Sequence, residues 1–167
     1  MPLKTTSQVR AGNLPACIST PADLDFLDPA NPFFVTDRAL LSYGQFIGGS
    51  TPKGIFQHTR TGVTILGDSG GFQIGKGVWE GDWKDPNCPK ASKKRQQVLA
   101  WMDTLMDYGM ILDIPTWVIH DPKASKACQI TTLQEAVDAT KFNNEYFMAN
   151  RKGKNNGGAK FLNVLQG

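Results

Sequence analysis

The feature that most restricts the fold is a recurring unit: a short apolar run that ends on a polar residue and is followed, after a loop, by a long amphipathic stretch. Val63, Thr64, Ile65 and Leu66 form the first run, Met110, Ile111 and Leu112 the second, and Lys160 to Leu165 the third. Runs this short and this apolar read as strands buried on both faces, the kind found in parallel sheets. Between the first and second lies a predicted helix from Ala91 to Tyr108, with Val98, Trp101, Met102, Leu105 and Met106 on one stripe and Gly109 as its stop. Between the second and third, Thr131 or Thr132 caps another helix, and Glu135 follows Thr132 at capping-box spacing. Its expected inner face is Leu133, Ala136, Val137, Thr140, Phe147 and Met148, and it ends near Arg151. Strand, loop and helix in repetition predict an α/β fold with a parallel sheet and outer helices.

Upstream the periodicity is weaker. Residues 1–32 read as an irregular lead-in, and the folded domain spans 33–167, opening with a short strand from Phe33 to Thr36 and a helix from Arg38 to Phe46. Gly67 to Gly77 reads as a glycine-rich loop, and Trp79 to Pro89 and the segment after Asp113 as polar loops. The stretch Gly48 to Gly54 lacks the G-x-x-x-x-G-K-[ST] order of a phosphate loop and reads as a turn.

Composition narrows the class. With 40% hydrophobic and 20% charged residues the chain supplies one core, which excludes a disordered or collagen-like protein. The net charge of +3 is a mild bias toward a polyanionic partner. Lys90, Lys93, Lys94 and Arg95 open one predicted helix and are candidate phosphate contacts, whereas Arg151, Lys152 and Lys154 read as a solvated helix end. Trp79 and Trp83, beside Lys84, have two readings, stacking on an unpaired base or covering the core. Cys17, Cys88 and Cys128 match neither a disulfide framework nor a zinc site, and His58 and His120 stand alone. No apolar run approaches the roughly 20 residues that span a bilayer, and Met1 to Arg10 is polar, so the expectation is a cytoplasmic protein with no membrane partner.

In repeated βα units the chemistry sits in the loops at the carboxyl ends of the strands. Asp68, Asp113 and Gln166 each stand there, so all three are expected on one rim. Residues Asp68, Ser69, Gly70, Gly71, Phe72 and Gln73 spell D-S-G-G-F-Q, which resembles the signature of the tRNA-guanine transglycosylase family. The M-I-L-D ending in Asp113 and the V-L-Q-G ending in Gln166 and Gly167 are similar to further family segments, in the family's order. The resemblance covers Val63 to Gly167 and implies a (β/α)8 TIM barrel that exchanges guanine for a 7-deazaguanine base in tRNA or, in a related branch, DNA. Taken singly, an Asp-Ser-Gly-Gly run is an ordinary turn, and Asp113 and Gln166 are ordinary strand ends; their conjunction carries the resemblance.

By that resemblance Asp113 accepts the two donor groups of a guanine edge, Gln166 serves its carbonyl, and Gly167 begins the backbone that closes over the base. Ser69, Gly70 and Gly71 bring main chain close to the ring, Phe72 walls the pocket, and Gln73 offers a further donor and acceptor. Asp68 is the implied catalytic residue, acting as acid/base or positioning group at the exchanged base. A complete barrel needs roughly 250 residues. The expectation is therefore the amino-terminal half of a barrel, inactive alone, with the family's nucleophilic aspartate and zinc site beyond Gly167 and neither metal nor cofactor in this chain. Two alternatives stay open: a non-catalytic base- or RNA-binding subunit that pairs with a homologous transglycosylase barrel, and a doubly wound domain that binds a phosphorylated metabolite through Gly67 to Gly77.

Overall fold

The computed structural model describes residues 16–18, 27, 36–45, 62–153 and 157–164. Its strands, β1 (Ala16–Ile18), β2 (Arg38–Ser42), β3 (Thr64–Asp68), β4 (Tyr108–Met110) and β5 (Lys160–Leu162), form one five-stranded sheet. Every neighbouring pair is parallel and the spatial order follows the chain. The expected α/β fold with a parallel sheet is therefore present. A doubly wound sheet reverses its strand order at a switch point; the described strands show no reversal. The helices are α1 (Phe72–Gly75), α2 (Pro89–Leu105), α3 (Pro122–Cys128) and α4 (Leu133–Asn150). Among the described residues no helix is long and apolar enough to cross a membrane.

Several boundaries differ from the sequence expectation. Arg38 to Phe46 was expected to be helical, yet Arg38–Ser42 is strand β2, paired with β1 on one side and β3 on the other. Ala and Leu favour helices, but ladders on both edges satisfy the backbone more completely than a short helix would. Ala16–Ile18, inside the expected irregular lead-in, is likewise a strand because β2 offers it an edge. The expected strand at Phe33 to Thr36 lies outside the described residues except for Thr36, which is buried and whose hydroxyl donates to the Arg38 carbonyl at 2.9 Å. The long helix stops at Leu105 rather than Tyr108, and Gly109 sits inside β4 instead of ending the helix. A Cβ at Gly109 would lie 2.8 Å from Met102 Sδ and 2.9 Å from Phe161, so glycine there lets helix and neighbouring strand close over the sheet.

Strand alternation assigns the two faces. Ile65 and Gly67 are buried toward α2, where a Cβ on Gly67 would meet Met106 at 2.7 Å and Trp101 at 3.3 Å. Leu66 and Asp68 point to the opposite face.

The inner face of α4 is Ala136, Ala139, Asn143 and Phe147, while the expected core residues Leu133, Val137 and Met148 are exposed. Two alanines let the helix approach closely, and Asn143 is drawn in by a buried partner. That partner is Arg95 on α2, only 1% exposed, whose Nε donates to Asn143 Oδ1 at 2.6 Å and whose Nη2 donates to the Trp83 carbonyl at 3.2 Å. Its guanidinium also stacks on Trp83 and Phe142. Arg95 therefore leaves the group of candidate phosphate contacts, and burial draws its pKa below the usual arginine range.

The polar loop expected after Asp113 contains a 3-10 turn (Thr116–His120) and α3. Asp121 caps α3 by accepting from the Lys123 and Ala124 amides, and Pro122 occupies the first turn, where its missing N–H costs nothing. At α4 the capping box forms as expected between Thr132 and Glu135.

Glu135 accepts from the Thr131 amide and hydroxyl and from Lys84, which together hold its carboxyl at about 2 instead of 4.5. A depressed carboxylate stabilises the fold above its unfolded pKa, and that contribution is lost as pH falls through the folded value. Glu135→Gln is expected to lower the urea midpoint at neutral pH, with the gap from wild type closing between pH 4.5 and about 2. A gap independent of pH across that window would refute the charge-based account.

Candidate functional site

Asp68 closes β3 in register with Ser42, the last residue of β2. On that shared face the Ser42 hydroxyl donates to Asp68 Oδ2 at 2.5 Å, and the Gly70 amide reaches the same oxygen at 3.3 Å. The Tyr43 amide donates to the Asp68 carbonyl at 2.9 Å. Side chain and main chain of Asp68 are thus both tied to the end of the adjacent strand.

The chain then turns through Gly70, whose φ of +76° disfavours any residue with a Cβ. A Cβ there would also lie 2.7 Å from the Gly44 nitrogen and 2.9 Å from Trp79. At Gly71 the constraint is purely steric: a Cβ would collide with the Asp113 carbonyl oxygen and come within 2.7 Å of Asp113 Oδ1. The glycine pair therefore lies between two carboxylates, Asp68 on the Gly70 amide and Asp113 against Gly71. Of the three polar strand ends expected on one rim, Asp68 and Asp113 both border this glycine pair; Gln166 and Gly167 lie outside the described residues.

Asp113 follows β4 by three residues. Both peptide groups flanking it are fastened to α4: Asn143 Nδ2 donates to the Leu112 carbonyl at 2.8 Å, and the Ile114 amide donates to Thr140 Oγ1 at 2.9 Å. Since Asn143 also accepts from Arg95, the buried cation on α2 is linked through α4 to the backbone that carries Asp113. Neither Arg95, Asn143 nor Thr140 stands out in the sequence as a supporting residue, because each lies on a helix far along the chain from the position it holds.

Ser69 is fully buried, and its hydroxyl finds no hydrogen-bond partner among the described residues. Phe72, expected to wall the base pocket, opens α1 and is 57% exposed. The Gln73 side chain packs over Gly44, and the Gln73 main-chain carbonyl accepts from the Val78 and Trp79 amides. Both readings of the two tryptophans resolve toward packing. Trp83 is buried beneath Arg95, and Trp79 lies behind Gly70, edge-on to Tyr43, with Lys94 Nζ 4.7 Å from its ring centroid. Burial and the adjacent Lys93 lower the Lys94 pKa, and burial raises that of Tyr43. The exposed ring that sequence reading missed is Trp117, 5.9 Å from Phe72.

His120 is exposed at the end of the 3-10 turn, and His58 lies outside the described residues. Cys88 Sγ accepts from the Asp82 amide, and Cys128 is buried with its thiol pKa raised by burial. No cluster of three His, Cys, Asp or Glu side chains suited to a metal occurs among the described residues.

Gly71→Ala is expected to cost about 1–3 kcal/mol of stability by overpacking against Asp113, measured by urea unfolding; an unchanged midpoint would show the contact to be loose. Asn143→Leu should cost about 3 kcal/mol, since it strands a buried guanidinium and the Leu112 carbonyl. The double variant Arg95→Met/Asn143→Leu should recover part of that loss, and failure to recover it would remove the charge from the explanation. No family model, curated protein or solved structure matches the chain, so the chemistry of this rim rests on its own residues.

Proposed function

We propose that the chain forms strands and helices of a (β/α)8 barrel of the transglycosylase type and binds a guanine or 7-deazaguanine base exchanged in tRNA or DNA. The observation that carries this reading is the approach of Asp113 to Gly71, which sets a carboxylate and a Cβ-free backbone side by side at the end of adjacent parallel strands. A purine ring needs flat, close main chain, and its guanine edge presents adjacent N–H donors that one carboxylate accepts together. Asp113 is assigned that edge. The buried hydroxyl of Ser69 is a polar group that a bound ligand or water would satisfy.

Asp68 is assigned proton transfer at the leaving base, because guanine departs from a sugar only as its ring gains a proton. Its hold on Ser42 and Gly70 fixes the carboxyl group at the strand end, where a positioned acid must stand. No nucleophile is assigned among the described residues. Sequential parallel strands support the barrel reading, as does the half-buried face bearing Leu40, Leu66 and Asp68, which lies opposite α2 as the interior layer of a barrel does.

Guanine binding measured by calorimetry tests the assignment. The intact chain should bind the free base, and Asp113→Asn, which replaces an acceptor by a donor at nearly the same volume, should weaken binding by roughly 10- to 100-fold. Absence of binding, or equal affinity in the variant, overturns the pocket.

A further inference from the structure

Beyond the base pocket lies a surface that the guanine reading touches only at Phe72, the residue expected to wall that pocket. Phe72 and Trp117 are 57% and 39% exposed, and their rings lie 5.9 Å apart at 58°. Lys76 Nζ stands 5.2 Å from the Phe72 centroid and 5.8 Å from that of Trp117. Trp117 is seated rather than splayed, because a Cβ on Gly75 would lie 2.5 Å from its ring. Two exposed rings and a cation are therefore held together just past Gly71 and Asp113.

The segment that begins at Phe72 continues from this pair between two grooves. On one side Gly77 packs against Ala124 and Ala127 of α3, next to a cavity of about 480 Å³ lined by Lys90, Lys123 and Lys126. On the other, Val78 and Trp79 border a cavity of about 420 Å³ lined by Lys90, Lys93 and Lys94. With Lys76 this makes six lysines, against two acidic residues, Glu80 and Asp82, in the same linings. Lysines thus outnumber acids along these grooves, with Lys90 paired to Glu80 at 3.1 Å.

We propose that Phe72 to Gly81 is the spine of a track for single-stranded nucleic acid, with unpaired bases on the faces of Phe72 and Trp117 and phosphates along the lysines of α2 and α3. Stacked duplex bases have no face to offer such rings, whereas unpaired bases do, and aromatic stacking interleaved with lysine is the pattern that binds single strands without reading sequence. The track rests on the nucleic-acid part of the function proposed above but uses neither Asp68 nor Asp113.

Fluorescence anisotropy with labelled oligothymidylate tests it, because thymine does not present the guanine edge. The intact chain should bind, with affinity falling steadily as salt rises. Trp117→Ala should weaken binding roughly tenfold, Trp117→Phe should restore most of it, and Lys123→Glu with Lys126→Glu should flatten the salt dependence. Asp113→Asn should leave oligothymidylate binding unchanged. The track is overturned if oligothymidylate does not bind at low salt, if polyglutamate binds equally well, or if Trp117→Ala has no effect. Loss of oligothymidylate binding in Asp113→Asn would also overturn it, by making the track inseparable from the pocket. Guanine binding without oligothymidylate binding sinks the track alone, and the reverse sinks the pocket alone.

Discussion

The structure is organised around one buried cation. Arg95 is enclosed by Trp83, Phe142 and Asn143, and a guanidinium in that setting tolerates only an arrangement that supplies its acceptors. A buried charge adds little net stability compared with apolar packing, but separating it from its partners costs about 3–5 kcal/mol. Arg95 thus acts less as glue than as a registration device: α2 and α4 must sit where Asn143 can reach both the guanidinium and the Leu112 carbonyl. Because Thr140 on the same helix holds the Ile114 amide, this registration extends to the backbone on both sides of Asp113. The position of the candidate site therefore derives from the core.

A buried acid does related work nearer the carboxyl end of α2. Asp103, 4% exposed, accepts from the Lys152 and Ala159 amides and so fastens the chain leaving α4 before it enters β5. Asp107 makes a comparable link, accepting from the Ile65 amide at the start of β3. The amino ends of β3 and β5 are thus fixed by carboxylates that bind backbone, whereas the carboxylates past the carboxyl ends of β3 and β4, Asp68 and Asp113, border the glycine pair. The lysines of α2 and α3 line two grooves beside the segment from Gly77 to Asp82.

Much of this was legible in the chain, and what was missed has definite causes. The strand at Thr64–Asp68 and the capping box at Thr132 were readable because each is set by neighbours in sequence. Helix α3 was readable in principle, since Asp121 and Pro122 form an N-cap and first-turn pair, but its brevity and lysine-rich composition resemble a loop. The inner face of α4 was misjudged because hydrophobicity favoured Leu133, Val137 and Met148, whereas the buried stripe follows Asn143, whose partner lies 48 residues away. Arg95 was read as a surface group and Trp83 was left with two readings for the same reason: each is polar or amphipathic alone, and only together do they form an interior.

The sequence by itself determined the alternation of strands and helices, the glycine pair after β3, and the presence of carboxylates where strands end, because these depend on backbone conformation and residue type within a few positions. Tertiary structure alone decided that Arg38–Ser42 is a strand, that Arg95 is internal, and that Asp113 stands against Gly71. Each of those outcomes is fixed by atoms distant in the chain: two flanking ladders, an amide on another helix, and a missing methyl group that lets one loop touch the next. Local preference sets what a segment can do, and the contacts it must satisfy in the assembled fold select among those possibilities.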